Sequence, residues 1–463
     1  YEYTLPLRLE ADDWRAWMAV EHQARSLTYH PQQQFAAETL FLVPPDPVVG
    51  ETTTTGPWPG SAAGLPLAVF QPRGCAGLFV LGGRVDISRE AAEQLLRPLS
   101  LIDAGERLGA VAALLAAEMA DPGAPLLPAN ATAVPGAADT GEVLAGPRPF
   151  LAWDRVAAGP RQIPVLGQYD VVVVGGGTSG VPAAIGAARQ GASTLLIEGN
   201  YALGGVGTLG AISTYCHGFR GGFTAEVPGA ANWPIEQRAE WWRTTTLAAG
   251  GEVWFGTLGC GALLVKDWVR GVVVVTPRGR GVVWAGAVID ATGNADVAAA
   301  AGATCVTTDG SDLAVQGTGL PPRNLGAGYT NTDFTLCDET DIVDFTTLFV
   351  YSKGKYAKGT FDQGVLADTR ERRRIVGDAT LTILDQVLGR TYPDTVLMAR
   401  TNYDTHGYTV DPYFLLTSHA VGRRFDTFLP YRCLLPRGLE GLLVTGLGGL
   451  AQGLHQVLGL APD

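Results

Sequence analysis

Three glycines, Gly175, Gly177 and Gly180, stand in Gly-X-Gly-X-X-Gly spacing inside VVVVGGGTSGVPAAIGAARQGASTLLIE. The chemistry this spacing suits is the holding of a diphosphate. The first glycine permits a tight turn, the second lets backbone approach the phosphates, and the third lets helix and strand pack closely. Helix-start N–H groups at Thr178, Ser179 and Gly180, with the helix dipole, favour the phosphate charge. Glu198, 18 residues past Gly180, ends the next apolar run and can accept hydrogen bonds from ribose hydroxyls.

A second set of side chains could move protons or hold an anion. The chain has six histidines, of which His217 in TYCHGF suits proton transfer near neutrality. It reads either as a catalytic or substrate-binding group or as a structural, hydrogen-bonded one. Asp404 and His406 in YDTHG share a face if extended, where the carboxylate could orient the imidazole; an Asx-turn is the plainer reading. Arg373 in RERRRIVG could bind an anionic substrate or sit on a solvated helix face. Arg432 in PYRCLLPRG could clamp a carboxylate or carbonyl oxygen, with Tyr431 donating a proton. Cys216 and Cys433 read as buried structural thiols. The six cysteines are scattered without a CxxC pair or zinc spacing, so neither a metal site nor a disulfide framework is expected.

The elements that must position these groups can be read from periodicity. Residues 169–174 form a short apolar run, hence a buried strand. Residues 179–190 place Val181, Ala184, Ile185 and Ala188 on one helical stripe, and Gly191 stands where a helix C′ residue belongs. Residues 193–197 read as the next strand, completing a βαβ unit with parallel strands. Farther on, 271–284 reads as a β-hairpin, 287–290 as a buried strand, 296–301 as an Ala-rich helix and 442–445 as a last strand entering a Gly-rich turn.

Three further segments carry a resemblance. EGNYALGGVGT (198–208), VIDATGNADV (288–297) and GLLVTGLG (441–448) resemble, in order, the flavin-contacting segments of glutathione-reductase-like flavoproteins. From about 147 to 448 the chain resembles the FAD-dependent oxidoreductase family of bacterial flavoproteins, with LGGVGTLGAISTYCHGFRGGFTAEV, VQGTGLPPRNLGAGYTNTDFT, DTRERRRIVGD and LPYRCLLPRGLEGLLVTGLG among the shared stretches. Residues 449–463 depart from it.

The resemblance implies an α/β fold: a Rossmann-like, glutathione-reductase-type FAD-binding domain with an inserted substrate domain and an added N-terminal region. It assigns 1–168 to the accessory region, 169–215, 251–305 and 433–463 to the FAD-binding domain, and 216–250 with 306–432 to the substrate domain. It adds Gly199, Gly204, Gly205, Gly207, Thr208, Thr292, Gly293, Asp296, Gly446 and Gly448 to the cofactor-binding candidates. FAD is favoured over NAD. The implied reaction is oxidation of a small or medium polar molecule (an alcohol, hydroxy acid or sugar) by hydride transfer to flavin N5. A flavin-dependent enone or fumarate-type reductase, or a flavoprotein scaffold working through 1–168, stays open. A lone Cys216 after the first Gly segment argues against dithiol chemistry, and the lack of a second GxGxxG argues against a built-in NAD(P)H site.

The whole chain sets the frame. Its 463 residues are 46% hydrophobic, enough for two or three domains. A net charge of −12 without a basic patch disfavours nucleic-acid and anionic-membrane partners. No run of 18 apolar residues predicts a membrane span. The substrate is expected to be a small molecule, the electron acceptor is unassigned, and a homo-oligomer or partner contact through the N-terminal region stays open. A cytoplasmic location is the default; a start at Tyr1 is compatible with export after signal removal. Within 1–168, residues 12–24 and 88–97 read as helices, the latter capped by Ser88. Residues 102–120 read as a helix with core-like spacing, and 44–67 and 121–148 as Pro- and Gly-rich loops.

Overall fold

The structure is a computed structural model that describes residues 3–31, 43–44, 46–75, 77–118, 138–144, 152–155, 162–210, 213, 220–229, 232–307, 314–316, 333–335, 342–343, 346–347, 373–402 and 424–446. Two compact units emerge, one of Tyr1–Glu38 with Ala131–Asp463, the other Thr39–Asn130. In chain order the strands are β1 (Asp139–Glu142), β2 (Val165–Val174), β3 (Thr194–Ile197), β4 (Glu252–Trp254), β5 (Leu258–Val265), β6 (Trp268–Thr276), β7 (Gly279–Asp290), β8 (Cys305–Thr307), β9 (Ala314–Gln316), β10 (Asp333–Thr335), β11 (Arg373–Ile375), β12 (Thr395–Asn402), β13 (Arg424–Pro430) and β14 (Leu442–Val444). The helices are α1 (Trp14–Thr28), α2 (Arg89–Leu95), α3 (Pro98–Glu118), α4 (Gly180–Arg189), α5 (Ile235–Ala248), α6 (Asp296–Ala300) and α7 (Ile383–Val387).

An eight-stranded sheet of order β1-β5-β6-β7-β2-β3-β4, with β14 also on β7, organises the larger unit. Strands β4, β3, β2, β7 and β14 run parallel, whereas β7, β6, β5 and β1 pair antiparallel. The parallel part is buried on both faces, so its strands read as continuous apolar runs: Val172 and Val173 in β2, Leu195 and Leu196 in β3 are fully enclosed. Helix α4 turns Val181, Ala184 and Ile185 into the same core. Gly191, at φ +86°, closes it in the left-handed conformation.

Register decides where the strand ends fall. Val174 pairs with Ile197 on one side and Asp290 on the other, and Asp290 also faces Val444. Four parallel strands therefore stop at one level. The loops that follow them meet at one edge of the sheet, the place where open α/β sheets bind ligands.

The structure differs from the sequence expectation at β7 and at α3. The strand expected at 287–290 is the far half of β7, which stays continuous because β2 pairs with it from Val282 to Asp290. Helix α1 places Trp14, Trp17 and Met18 in the main core, and β1 pairs with β5. Helix α5 places Trp242 in that same core. In the smaller unit, α3 buries only Ala104 and Leu108, leaving Ile102 and Leu114 exposed where core was expected. That unit's own core gathers Leu65, Val69, Phe70 and Leu95, and Ser88 caps α2 by accepting from Ala91 N at 3.2 Å. Beyond β7, the described parts of 306–432 include three two-stranded pairs, β8 with β11, β9 with β10 and β12 with β13. No helix among the described residues is long and apolar enough to cross a membrane.

Candidate functional site

The first turn is built from steric exclusions. Gly175 has φ +101°, and a β-carbon there would lie 2.4 Å from the Ala291 carbonyl oxygen. On Gly180 a β-carbon would lie 1.9 Å from the Gly175 oxygen. Gly177 is the opposite case, with nothing within 4 Å of its would-be β-carbon. Two of the three glycines thus serve close chain approach, and the middle one borders open space. Ser179, the N-cap of α4, makes no side-chain cap bond, so its hydroxyl does not consume the first-turn N–H groups.

Glu198 reaches back from the end of β3. One carboxylate oxygen accepts Gly176 N at 2.7 Å; the other accepts Asn200 N at 2.7 Å and Asn200 Nδ2 at 2.9 Å. Burial pushes its pKa up, against the pull of those donors. With the Gly199 backbone N–H also beside it, the carboxylate is held at the end of β3 by donors from both flanking turns. Gly204, at φ +105°, donates to Gly176 O at 2.8 Å. Gly205, at φ +50°, packs so closely that a β-carbon would come within 3.0 Å of Gly177 Cα and 3.8 Å of Thr178 N. The other segment residues are committed to the scaffold. Gly207 O accepts Trp233 Nε1 at 2.7 Å, buried Thr208 donates to Leu203 O at 2.7 Å, and Gly199 abuts Leu258.

The turn after β7 is organised by a residue the sequence reading did not single out. Asp290 is fully buried and accepts from Thr292 N (3.1 Å), Thr292 Oγ1 (2.7 Å) and Ala298 N (2.9 Å). Burial pushes its carboxyl up while these donors pull it down. The available signal was a carboxylate inside an apolar strand end, VID, which demands buried partners. Thr292 Oγ1 in turn accepts Asp296 N at 3.0 Å, and Gly293 (φ +79°) has open space beside it. The fourth loop closes the edge: Thr445 N donates to Asp290 O at 2.8 Å, and a β-carbon on Gly446 would sit 2.9 Å from Ser179 Oγ.

The catalytic candidates are placed unevenly. Arg373 N donates to Asn294 Oδ1 at 3.0 Å, and its guanidinium lies 3.8 Å from Asp296, so it stands beside the turn after β7. Its Nη1 is buried without a hydrogen-bond partner. Arg432 is paired to Asp394 at 2.9 Å and lies over the Tyr392 ring, while Tyr431 is exposed. Cys433 is buried, and burial pushes its thiol up to about 11. Cys216, His217, Asp404, His406 and Gly448 lie outside the described residues. Among the described residues no cluster of three or more His, Cys, Asp or Glu could hold a metal ion.

The model of the family described as FAD dependent oxidoreductase matches residues 170–319 and 345–448, more than half of the chain. The chain belongs to that family. It is an FAD-dependent oxidoreductase, and FAD is its cofactor. The family's nucleotide-binding unit is of the Rossmann type, within a mixed α/β architecture built on one large sheet.

Three solved structures match part of the chain at low similarity. A geranylgeranyl bacteriochlorophyll reductase-like protein from Thermoplasma acidophilum is 17% identical over 47% of this chain and 68% of that one, with TM-score 0.31. An anhydrotetracycline hydroxylase from Streptomyces rimosus is 18% identical over 45% and 54%, also at 0.31. A myxobacterial chondrochloren halogenase is 16% identical over 45% and 64%, at 0.30. The chain therefore spans little more than half of the hydroxylase and less than two thirds of the halogenase. Among curated proteins none matches the chain.

The residues at the sheet edge fit the cofactor. The bare space beside Gly177 is a cradle that a β-carbon would fill. Gly175 and Gly205 admit close backbone approach beside it, and the Glu198 carboxylate stands at the end of β3.

Proposed function

We propose that the four loops at the carboxyl edge of the sheet hold FAD, and that the enzyme oxidises a small or medium polar organic substrate of the alcohol, hydroxy acid or sugar type. One observation carries the placement. Gly175 approaches Ala291, Gly205 approaches Gly177, and Gly446 approaches Ser179, all around the open space at Gly177. In this reading the diphosphate lies along Gly177, Thr178 and Ser179, and the adenosine ribose meets Glu198. Gly204, Gly205, Thr292, Gly293, Asp296 and Gly446 line the rest, while Gly199, Gly207 and Thr208 hold the loop. The arrangement is of the glutathione-reductase type, with substrate-binding segments drawn from 306–432.

Bound flavin supplies the acceptor for a hydride from the substrate carbon. The chain supplies orientation, charge and a base. Arg373 stands beside the turn after β7, suited to an anionic substrate group or to the diphosphate. His217 and the Asp404–His406 pair are the candidate proton acceptors. Arg432 is a candidate only if the Asp394 pair opens, and exposed Tyr431 is a candidate proton donor.

A polar substrate gains support from α7 and β13, which pack together. The Gln386 amide, both nitrogen and oxygen, and the Thr427 hydroxyl are buried without hydrogen-bond partners. Thr427 pairs with Ala399, which packs with Leu381, Leu429 and Cys433. An orphaned buried polar group costs about 1–3 kcal/mol, a cost a substrate hydroxyl or carbonyl would offset. The test is anaerobic titration of the holoenzyme with a panel of alcohols, 2-hydroxy acids and sugars, followed by loss of oxidised-flavin absorbance. A member of these classes is expected to bleach the flavin. Bleaching confined to reduced nicotinamide with an enone as oxidant would instead support a reductase.

A further inference from the structure

Helix α1 precedes every motif discussed so far, and it grips the segment that holds Glu198. Trp14, Met18 and His22 lie four residues apart, on one stripe of the helix. Trp14 Nε1 donates to Thr257 Oγ1 at 2.9 Å, Phe255 N donates to Met18 Sδ at 3.2 Å, and His22 Nε2 bonds Val253 O at 2.8 Å. Four helical residues rise about 6 Å, and two extended residues span about 6.6 Å. The spacings match, so the helix reads alternate residues of β4 and its exit in antiparallel order. All six residues are buried. Arg243 adds a bond from its guanidinium to His22 O at 3.2 Å, and Arg15 pairs with Glu252.

The gripped segment is also the one that fixes the Glu198 backbone. Glu198 N donates to Trp254 O at 2.9 Å, and Thr257 N donates to Glu198 O at 3.1 Å. The Glu198 peptide groups are thus clamped by 254 and 257, while α1 holds 253, 255 and 257. Thr257 joins the two systems, because its hydroxyl receives Trp14 and its N–H reaches Glu198.

We propose that α1 is a clasp for the adenosine end of FAD, with Trp14 and Thr257 acting as positioning residues that set Glu198. The proposal rests on the reading that Glu198 meets the adenosine ribose. Coupling of this kind is reciprocal: if docked α1 favours the cofactor, the cofactor favours docked α1.

The test uses the full chain with FAD, and with ADP as a probe that carries only the adenosine half. Trp14→Phe keeps an aromatic ring, smaller than indole, and drops the donor; Thr257→Val drops the hydroxyl, and Thr257→Ser restores it. One hydrogen bond corresponds to a factor of about 3–10 in affinity. Trp14→Phe and Thr257→Val are expected to weaken FAD and ADP by about that factor, and Thr257→Ser to recover most of it. Saturating ADP is also expected to slow tryptic cleavage within 14–28 by about 3-fold or more. Lowered Tm with unchanged FAD and ADP affinity in both variants would reduce α1 to core packing and overturn the proposal. Glu198→Gln separates the two readings. If it weakens ADP binding while the α1 variants do not, the clasp alone fails. If it binds ADP as the parent does, the adenosine assignment fails and the clasp with it.

Discussion

Gly180 and Gly175 interlock: a β-carbon on Gly180 would stand 1.9 Å from the Gly175 carbonyl oxygen, inside any permissible contact. The start of α4 therefore rests directly on the turn that precedes it. The two glycines are demanded by the chain itself, whatever ligand lies beside them. Gly177, two residues past Gly175, is under no such demand. The motif's glycines separate into structural and ligand-facing members, and their variants should separate too.

Gly177→Val is expected to fold with a Tm near that of the parent and to lose FAD retention by about 100-fold or more, because the side chain enters the cradle. Gly180→Val should fail earlier, as insoluble or strongly destabilised protein. Flavin-to-protein absorbance ratios beside thermal melts distinguish the two. A Gly177→Val protein with full flavin occupancy would remove the diphosphate from this turn.

Asp290 is the keystone of the turn after β7. Removing its carboxylate in Asp290→Ala strands Thr292 N, the Thr292 hydroxyl and Ala298 N without their acceptor. A loss of about 3 kcal/mol or more in unfolding free energy is expected in chemical denaturation. Asp290→Asn, which keeps one acceptor oxygen, should lose less. Equal stability of all three proteins would show that the turn does not depend on these bonds.

His22 gives a pH signature. Burial holds its imidazole down to about 4 from an ordinary 6.5, with Arg243 and Arg25 adding to the depression and the bond to Val253 O opposing it. Between those values the unfolded chain takes up the proton first. Stability from the neutral buried ring is thus complete above about 6.5 and is lost as pH falls toward 4, by about 3 kcal/mol at most. Glu21, Glu198 and Asp290, held above their ordinary values by burial, act in the opposite direction. Comparing the parent with His22→Gln cancels them. The parent's advantage in urea unfolding should shrink from pH 7.5 to pH 4.5; a constant difference would contradict the assignment.

Gln386 should behave unlike an ordinary core residue. Gln386→Leu removes an orphaned amide, so Tm is expected to hold or rise. If the amide serves substrate, the concentration for half-maximal flavin reduction should climb about 10-fold, the worth of one hydrogen bond. A fall in Tm with unchanged substrate dependence would assign Gln386 to the scaffold.

Much of the nucleotide-binding unit was legible in sequence because local rules specify it. Two apolar runs flanking a helical stripe made β2, α4 and β3 readable, and Gly191 marked the helix end. The continuity of β7 was not legible, since only pairing with β2 carries it past the expected break at 285–286. Nor was the partner of α1: periodicity announced a helix, but a stripe of Trp14, Met18 and His22 does not name the strand it will meet. The apolar spacing over 102–120 suggested core, yet Ile102 and Leu114 are exposed, because spacing defines a face without saying whether anything covers it.

By itself the sequence determined the strand–turn–helix–strand unit, the glycines its turn requires, the acidic residue after β3 and, through ordered motifs, the family and cofactor. Those follow from backbone dihedrals and side-chain periodicity, which act over a few residues. Tertiary structure alone decided that Val174, Ile197, Asp290 and Val444 end at one level, that Asp290 anchors its turn, and that α1 holds the Glu198 segment. Register and packing between residues hundreds of positions apart arise only when the whole core closes, so no local pattern encodes them.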